Sequence, residues 1–369
     1  MNLRVPGPTP VPDPVLEAGS RQMINHRGPE FAQLIGELTA GVKTVFGTEK
    51  DLVILTCSGT GGLEAAVTNV LSPGERTLVV SIGVFGDRVA ALAGAFGADV
   101  VRVAFTPGSA ADPEVVREAL KREPNVRTVF VTHNETSTGV TNDLESLSAV
   151  IKGEFGKTLV VDGISSISSI PCPVDQWDID IAVSGSQKGW MCPPGLAMVS
   201  VSPRGWEAIG KATMPRFYFD LAEAKVSAEK GQTPWTPALG VMFGLREGLR
   251  LLLAEGMDRV YRRHAEIGKA TRQGAKDLGL ELFADEFCAS NTVSAIKMPE
   301  DVSWSALSTE LREQHEVVLA GGQGPLSGKL FRIGHLGWVS EADIQDALSS
   351  LEKALAKLRK VGAIPAGGA

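Results

Sequence analysis

Two residues of this chain sit where an acid and an amine could share one ligand. Asp162 closes the apolar run Thr158-Leu159-Val160-Val161-Asp162, and Lys188 follows the run Ile179-Asp180-Ile181-Ala182-Val183-Ser184 by way of Gly185-Ser186-Gln187. In an open α/β sheet, ligands collect beyond the carboxyl ends of the strands, so groups on successive strand ends face a common crevice. A protonated pyridine ring suits this pair. A carboxylate against the ring nitrogen keeps it protonated and makes the ring an electron sink, while the amine condenses with an aldehyde carbon on the opposite side. Taken singly, Asp162 reads equally as a cap or turn residue and Lys188 as a solvated charge. Their pairing, with the small residues Ser184, Gly185 and Ser186 beside the lysine, favours chemistry.

Other strand ends carry suggestive residues. Cys57-Ser58-Gly59-Thr60-Gly61-Gly62-Leu63-Glu64 joins an apolar strand to a helix, and its glycines and helix amides could cradle a phosphate. A plain strand-helix turn explains the segment equally well; it has neither the Walker A lysine nor dinucleotide spacing. Phe85, between glycines, is placed to stack on a flat ring or to pack in the core. Arg332, in Leu330-Phe331-Arg332-Ile333-Gly334, needs an acidic partner if buried: a substrate carboxylate or an internal acid. The polar run Thr132 to Gly139, with His133 and Thr136, reads as site or solvent-facing loop, and His26 and Arg27 as site caps or surface residues.

The elements that must position these groups alternate along the chain. Candidate strands are Leu52 to Thr56, Thr77 to Ile82, Val100 to Val103, Thr128 to Thr132, Leu159 to Asp162, Ile179 to Ser184 and Ala197 to Val201. Helices are expected near Leu63 to Leu71, Asp87 to Phe96, Pro113 to Arg122 and Leu144 to Phe155. This is the pattern of an α/β fold with a mostly parallel seven-stranded sheet. Beyond Pro203 the texture changes to long helices, Val241 to Ala254 and Met257 to Leu278, with strands near Thr292 to Lys297 and Lys329 to Ile333. A final helix is expected from Glu341 to Lys360 and a frayed tail from Gly362 to Ala369. The chain has 369 residues, beyond the roughly 250 to 300 that one core supports. We therefore expect a segment lying across the body (1–20), a large domain (21–255) and a smaller α+β C-terminal domain (256–369).

Composition narrows the function classes. Hydrophobic residues make up 43% and charged residues 21%, and no stretch approaches the roughly 18 apolar residues of a membrane span. The opening Met1 to Pro8 lacks signal-peptide character, so the cytoplasm is the expected location. Four cysteines, none in CxxC spacing, suggest neither a disulfide framework nor a zinc site. A net charge of -7 opposes nonspecific nucleic-acid binding, and a small-molecule ligand is expected.

Taken together, Ser58-Gly59-Thr60, His133-Asn134-Glu135-Thr136-Ser137-Thr138-Gly139, Val161-Asp162 and Ser184-Gly185-Ser186-Gln187-Lys188 resemble the class V aminotransferases, closest to their alanine/serine-glyoxylate group. The resemblance runs from Pro6-Gly7-Pro8-Thr9 and His26-Arg27-Gly28-Pro29-Glu30-Phe31 to Gly328-Lys329-Leu330-Phe331-Arg332-Ile333-Gly334. It implies a fold type I enzyme dependent on pyridoxal 5'-phosphate, working as a homodimer with active sites at the subunit boundary. Lys188 would hold the cofactor as a Schiff base and Asp162 would pair with its ring nitrogen. Gly59 and Thr60 would contact the phosphate, with Gln187 beside the lysine. Phe85 would stack on the ring, where the family often has tryptophan, Ile164 would pack on it, and Thr136 would lie near the phenolic oxygen. Arg332 matches the carboxylate-binding arginine, and Thr236 a residue that reaches the partner's phosphate. Thr60 replaces a histidine of some relatives and Thr233 a tyrosine; neither touches the reacting carbon. The implied reaction passes an amino group from alanine or serine to glyoxylate or pyruvate. Aspartate or phosphoserine transamination, or a noncatalytic nucleotide-binding role, are the alternatives.

Overall fold

The computed structural model describes residues 1–362, so the tail expected to fray lies, past Gly362, outside the described residues. Seven strands build its central sheet: β1 (Asp51–Leu55), β2 (Arg76–Ser81), β3 (Asp99–Ala104), β4 (Thr128–Thr132), β5 (Thr158–Asp162), β6 (Ile181–Gly185) and β7 (Ala197–Val201). Their order is β1-β7-β6-β5-β4-β2-β3, and every pairing is parallel except the two made by β7. The residues explain this arrangement. All the strands except the edge strand β3 are buried nearly end to end, as continuous apolar runs must be when helices cover both faces of a sheet.

The period of two in each strand then divides the runs between two cores. Leu52, Leu78, Val129, Leu159, Val161 and Ala182 enter one hydrophobic cluster, while their chain neighbours Val53, Val79, Phe130, Val160 and Val183 enter another. A third cluster draws on Ile267, Ile296, Leu307, Leu311, Phe331, Ile333, Leu351 and Leu355. It gathers under a three-stranded sheet whose members include Val293–Lys297 and Leu330–Gly334, covered by the helices Met257–Asp277 and Glu341–Gly362.

Most expected strands and the long late helices fall within two residues of their places. Three differences stand out. The helices expected from Leu63 and Asp87 start earlier, at Gly59 and Val84; we label them α1 (Gly59–Val70) and α2 (Val84–Ala95). Glycines that read as loop lie inside α1 because packing demands them: a Cβ on Gly62 would stand 2.8 Å from Ala197 Cβ and from Val183. The helix expected over Leu144 to Phe155 is α-helical only to Ser148 and continues as a π-helix, Ala149–Glu154. An 18-residue helix, Pro29–Phe46, was not expected, although its buried Phe31, Leu34, Ile35, Leu38, Val42 and Val45 repeat at helical spacing.

The first nine residues cross between these parts. Asn2–Leu3 pairs in parallel with Val317–Val318, the Gly334 amide donates to Arg4 O at 2.7 Å, and the Thr9 amide donates to Gln187 O at 3.1 Å. A short helix, Asp13–Gly19, follows within the 1–20 segment expected to lie across the body. Among the described residues no helix is long and apolar enough to cross a membrane.

Candidate active site

Because β1, β2, β4, β5 and β6 run in parallel, the segments leaving their carboxyl ends converge on one rim of the sheet. There they enclose a cavity of about 230 Å³ lined by Gly59, Thr60, Phe85, Thr136, Asp162, Ile164, Gln187 and Lys188. Larger cavities exist. One of about 990 Å³ opens at the opposite ends of the strands among Arg127, Lys157, Arg204 and Lys211, and no residue singled out in the sequence lines it. Convergent chemistry, rather than volume, selects the smaller one.

Lys188 lies in the turn after β6, and its Nζ donates to Pro6 O at 2.7 Å. Burial lowers its pKa to about 8; Asp162 works against that shift, and Arg332 and Arg88 reinforce it. Asp162 ends β5 and accepts the Ile164 amide at 3.0 Å through Oδ1. Burial raises its pKa to about 6, opposed by the Ile164 amide and helped by Glu135. Its other oxygen makes no hydrogen bond among the described residues.

The turn around Ser58 and Gly59 opens α1, whose first amides are free of side-chain caps. Gly59 is closely packed there: a Cβ would stand 2.6 Å from Ile164 Cδ1, so the isoleucine would have to shift. On α2, Phe85 lies half-buried with the Arg88 guanidinium 4.6 Å from its ring centroid. The N-terminus of α2 is capped from a distance: Glu135 Oε2 accepts the Phe85 and Gly86 amides at 2.9 and 3.1 Å, and Oε1 accepts the Ser137 hydroxyl at 2.6 Å.

Arg332 is buried, yet it forms no salt bridge among the described residues. Its Nε and Nη2 donate to Gly321 O at 3.0 and 2.7 Å, and Nη1 donates to Thr136 O at 3.1 Å and Gln323 Oε1 at 3.3 Å. Among the described residues no internal acid pairs with it. Burial lowers its pKa to about 10, with Glu135 opposing.

Not every expected residue joins the cluster. Ser58 is exposed at the N-cap of α1 and does not line the cavity. Thr236 is exposed and lies outside its own chain's cavity. His133 turns its edge to Trp177, lines a different cavity, and is kept neutral by burial, which lowers its pKa to about 4. Arg27 donates to Gln232 Oε1, Thr233 O and Pro234 O. Conversely, the cavity includes residues for which the sequence suggests no role of their own: Gly7, Arg88, Asn134, Ser165 and Gln323. Of these, Arg88 carried a usable signal, one helical turn beyond Phe85.

Residues 2–336 match the family Aminotransferase class-V. The chain belongs to that family. It is a pyridoxal-phosphate-dependent aminotransferase. Its relatives include a Synechococcus protein named soluble hydrogenase, small subunit, 41% identical over 99% of this chain and 96% of the relative. The serine-glyoxylate aminotransferase of Methylorubrum extorquens is 37% identical over 96% of this chain and 90% of its own. Among solved structures, an alanine-glyoxylate aminotransferase from Nostoc superposes with a TM-score of 0.92 at 29% identity, covering 96% of this chain and 95% of that one. The cavity of this class V chain fits the cofactor on its own evidence. Gln187 Oε1 is buried without a partner, Lys188 and Asp162 face one space, and the N-terminus of α1 presents uncapped amides that an anion could meet. Among the described residues no group of three His, Cys, Asp or Glu side chains is placed to hold a metal ion.

Proposed function

We propose that this aminotransferase moves the amino group of a small amino acid, alanine or serine, to glyoxylate or pyruvate in two half-reactions at one site. The observation that carries the substrate class is the buried Arg332 guanidinium, which does not itself line the cavity but is hydrogen-bonded only to uncharged oxygens, two of them from the cavity-lining Thr136 and Gln323, and is paired with no acid among the described residues although Glu135 lies near enough to act on it. Such a group awaits a carboxylate, and a fork of parallel N–H donors grips one bidentately.

Pyridoxal phosphate, when bound, supplies an aldehyde that takes up the amino group and a protonated ring that draws electrons from the α-carbon. Lys188 anchors that aldehyde. Its amine, when free, would move the proton of the substrate α-carbon. A pKa of about 8 leaves part of the amine free for this at neutral pH. Asp162 would hold the ring through its nitrogen and keep that nitrogen protonated. Gly59 and Thr60 hold the phosphate, Phe85 and Ile164 enclose the ring, and Thr136 and Gln187 complete the polar rim. Thr236 reaches the phosphate bound by the other subunit of a homodimer.

Arg88 favours a second donor class. It lines the cavity and makes no salt bridge among the described residues, which suits a second carboxylate such as that of aspartate. A donor screen against glyoxylate separates the two: dominance of alanine or serine supports the first reading, dominance of aspartate the second. For the shared chemistry, Lys188→Ala should abolish both borohydride-fixed cofactor and turnover. Full activity in that variant would sink the assignment.

A further inference from the structure

The turn that carries Lys188 belongs to no helix or strand, so something outside it must hold the lysine in place. The N-terminal segment does. Thr9 makes two consecutive contacts with it: its amide donates to Gln187 O at 3.1 Å, and its hydroxyl donates to Lys188 O at 3.0 Å. Two residues before Gly334, whose amide is held by Arg4 O, stands Arg332. The same short segment thus touches the strand of the carboxylate-binding arginine and the turn of the lysine.

The side chain of Lys188 is engaged as well. Its Nζ donates to Pro6 O at 2.7 Å and forms no salt bridge among the described residues. Gly7, at φ +147°, leaves the room: a Cβ there would lie 2.4 Å from Nζ and 2.8 Å from Cδ and Cε. A side chain there would be strained by the backbone conformation and would push the Lys188 amine from its place.

We propose that Pro6 to Thr9 form a working wall of the site, in which the Pro6 carbonyl is the resting place of the Lys188 amine whenever it is not bonded to the cofactor, and Thr9 is a positioning residue that fixes the lysine's backbone. The proposal rests on Lys188 being the cofactor lysine. A carbonyl is well suited to the role, since it accepts an N–H from either the charged or the neutral amine and, being uncharged, does not lock in the proton. The amine therefore has one defined place to return to during each half-reaction, which shortens its search for the reacting carbon.

The test uses the full chain stripped of cofactor and follows its covalent capture of pyridoxal phosphate by absorbance and borohydride fixation. Thr9→Val should slow capture about five- to tenfold, the worth of one hydrogen bond. Thr9→Ser, which restores the hydroxyl, should recover the rate to within about twofold. Amide exchange at residues 186–189 of the cofactor-free chain should rise in the valine variant and return to normal in the serine one. Gly7→Ala should bind the cofactor but leave little of it fixed by borohydride. An unchanged capture rate and unchanged exchange in Thr9→Val would overturn the proposal, as would a serine variant as slow as the valine one. Lys188→Ala keeps the two failures apart. If it captures cofactor normally, the site assignment falls; if it captures none while Thr9→Val behaves as wild type, only the wall falls.

Discussion

A lysine buried near two arginines gives up its proton easily, and a buried aspartate gives up its proton reluctantly. Both shifts come chiefly from desolvation, which places their titrations near the working range of an enzyme. Capture of the cofactor needs the neutral amine, so its rate in the cofactor-free chain should climb with pH through about 8 and level off above. Arg88→Met removes a cation that lowers the Lys188 pKa, so the midpoint should move upward; a stopped-flow pH series measures both. Asp162 predicts a stability effect of defined sign. Its folded pKa of about 6 lies above the ordinary 3.8, so its contribution is intact below about 4 and is lost as pH rises through 6. The cofactor-free Asp162→Asn variant should therefore match wild type near pH 4 and exceed it above pH 6 by about 1–3 kcal/mol in urea unfolding, while fixing cofactor poorly. Both residues were legible in the sequence because one ends a strand and the other lies three residues past one, and the topology of an open sheet says where strand ends point. Glu135 and Asn134 were not. Their partners lie on other segments: Glu135 bonds the amides of α2, and Asn134 bonds Ser165, Thr292, Thr141 and Ser290, contacts that only the folded chain creates.

The helix α2 shows how such a borrowed contact becomes structural. Its own N-cap is Gly83, which has no side chain to offer its free amides, and Glu135 supplies the acceptor instead. The carboxylate stays buried for this purpose, although desolvation raises its pKa. Glu135→Ala should cost about 2–3 kcal/mol of stability, through the lost cap and the polar groups left unpaired, and should shift Phe85 with the helix end. Cofactor affinity should accordingly fall more than amino-acid KM rises; equal losses in both would argue for general loosening instead. Glu135→Gln, which keeps an acceptor, should lose less, and equilibrium unfolding of the pair tests the order. The early starts of α1 and α2 have a related lesson. Glycine weakens an isolated helix, so a run such as Gly59-Thr60-Gly61-Gly62 reads as loop. Here close approach to Ile164 and to Ala197 decides the residue, and packing overrides propensity. The strands were easier because a run buried on both faces needs no partner to announce itself.

At the scale of the whole molecule, Thr236 joins the subunit question to the site. It is exposed, its own chain's cavity does not include it, and the neighbouring Thr233 and Pro234 carbonyls are gripped by Arg27. A held but unused loop is what a homodimer with shared sites requires of each subunit. If Thr236 serves the partner's phosphate, then Thr236→Asp should expel cofactor by setting like charges together, without disturbing a surface loop's fold. Lys188→Ala disables the site on its own chain and leaves its Thr236 available to the other. Mixing and refolding the two variants therefore makes hybrids in which one site has both defects and the other has neither. With random pairing into two-fold dimers, half the molecules are hybrids, and borohydride-fixed cofactor should return to about a quarter of the wild-type level. The recovery separates the two arrangements cleanly. A loop that serves its own chain gives no intact site in any pairing, so fixed cofactor no greater than the average of the two parents would exclude sharing, whereas sharing predicts a gain that neither parent can supply.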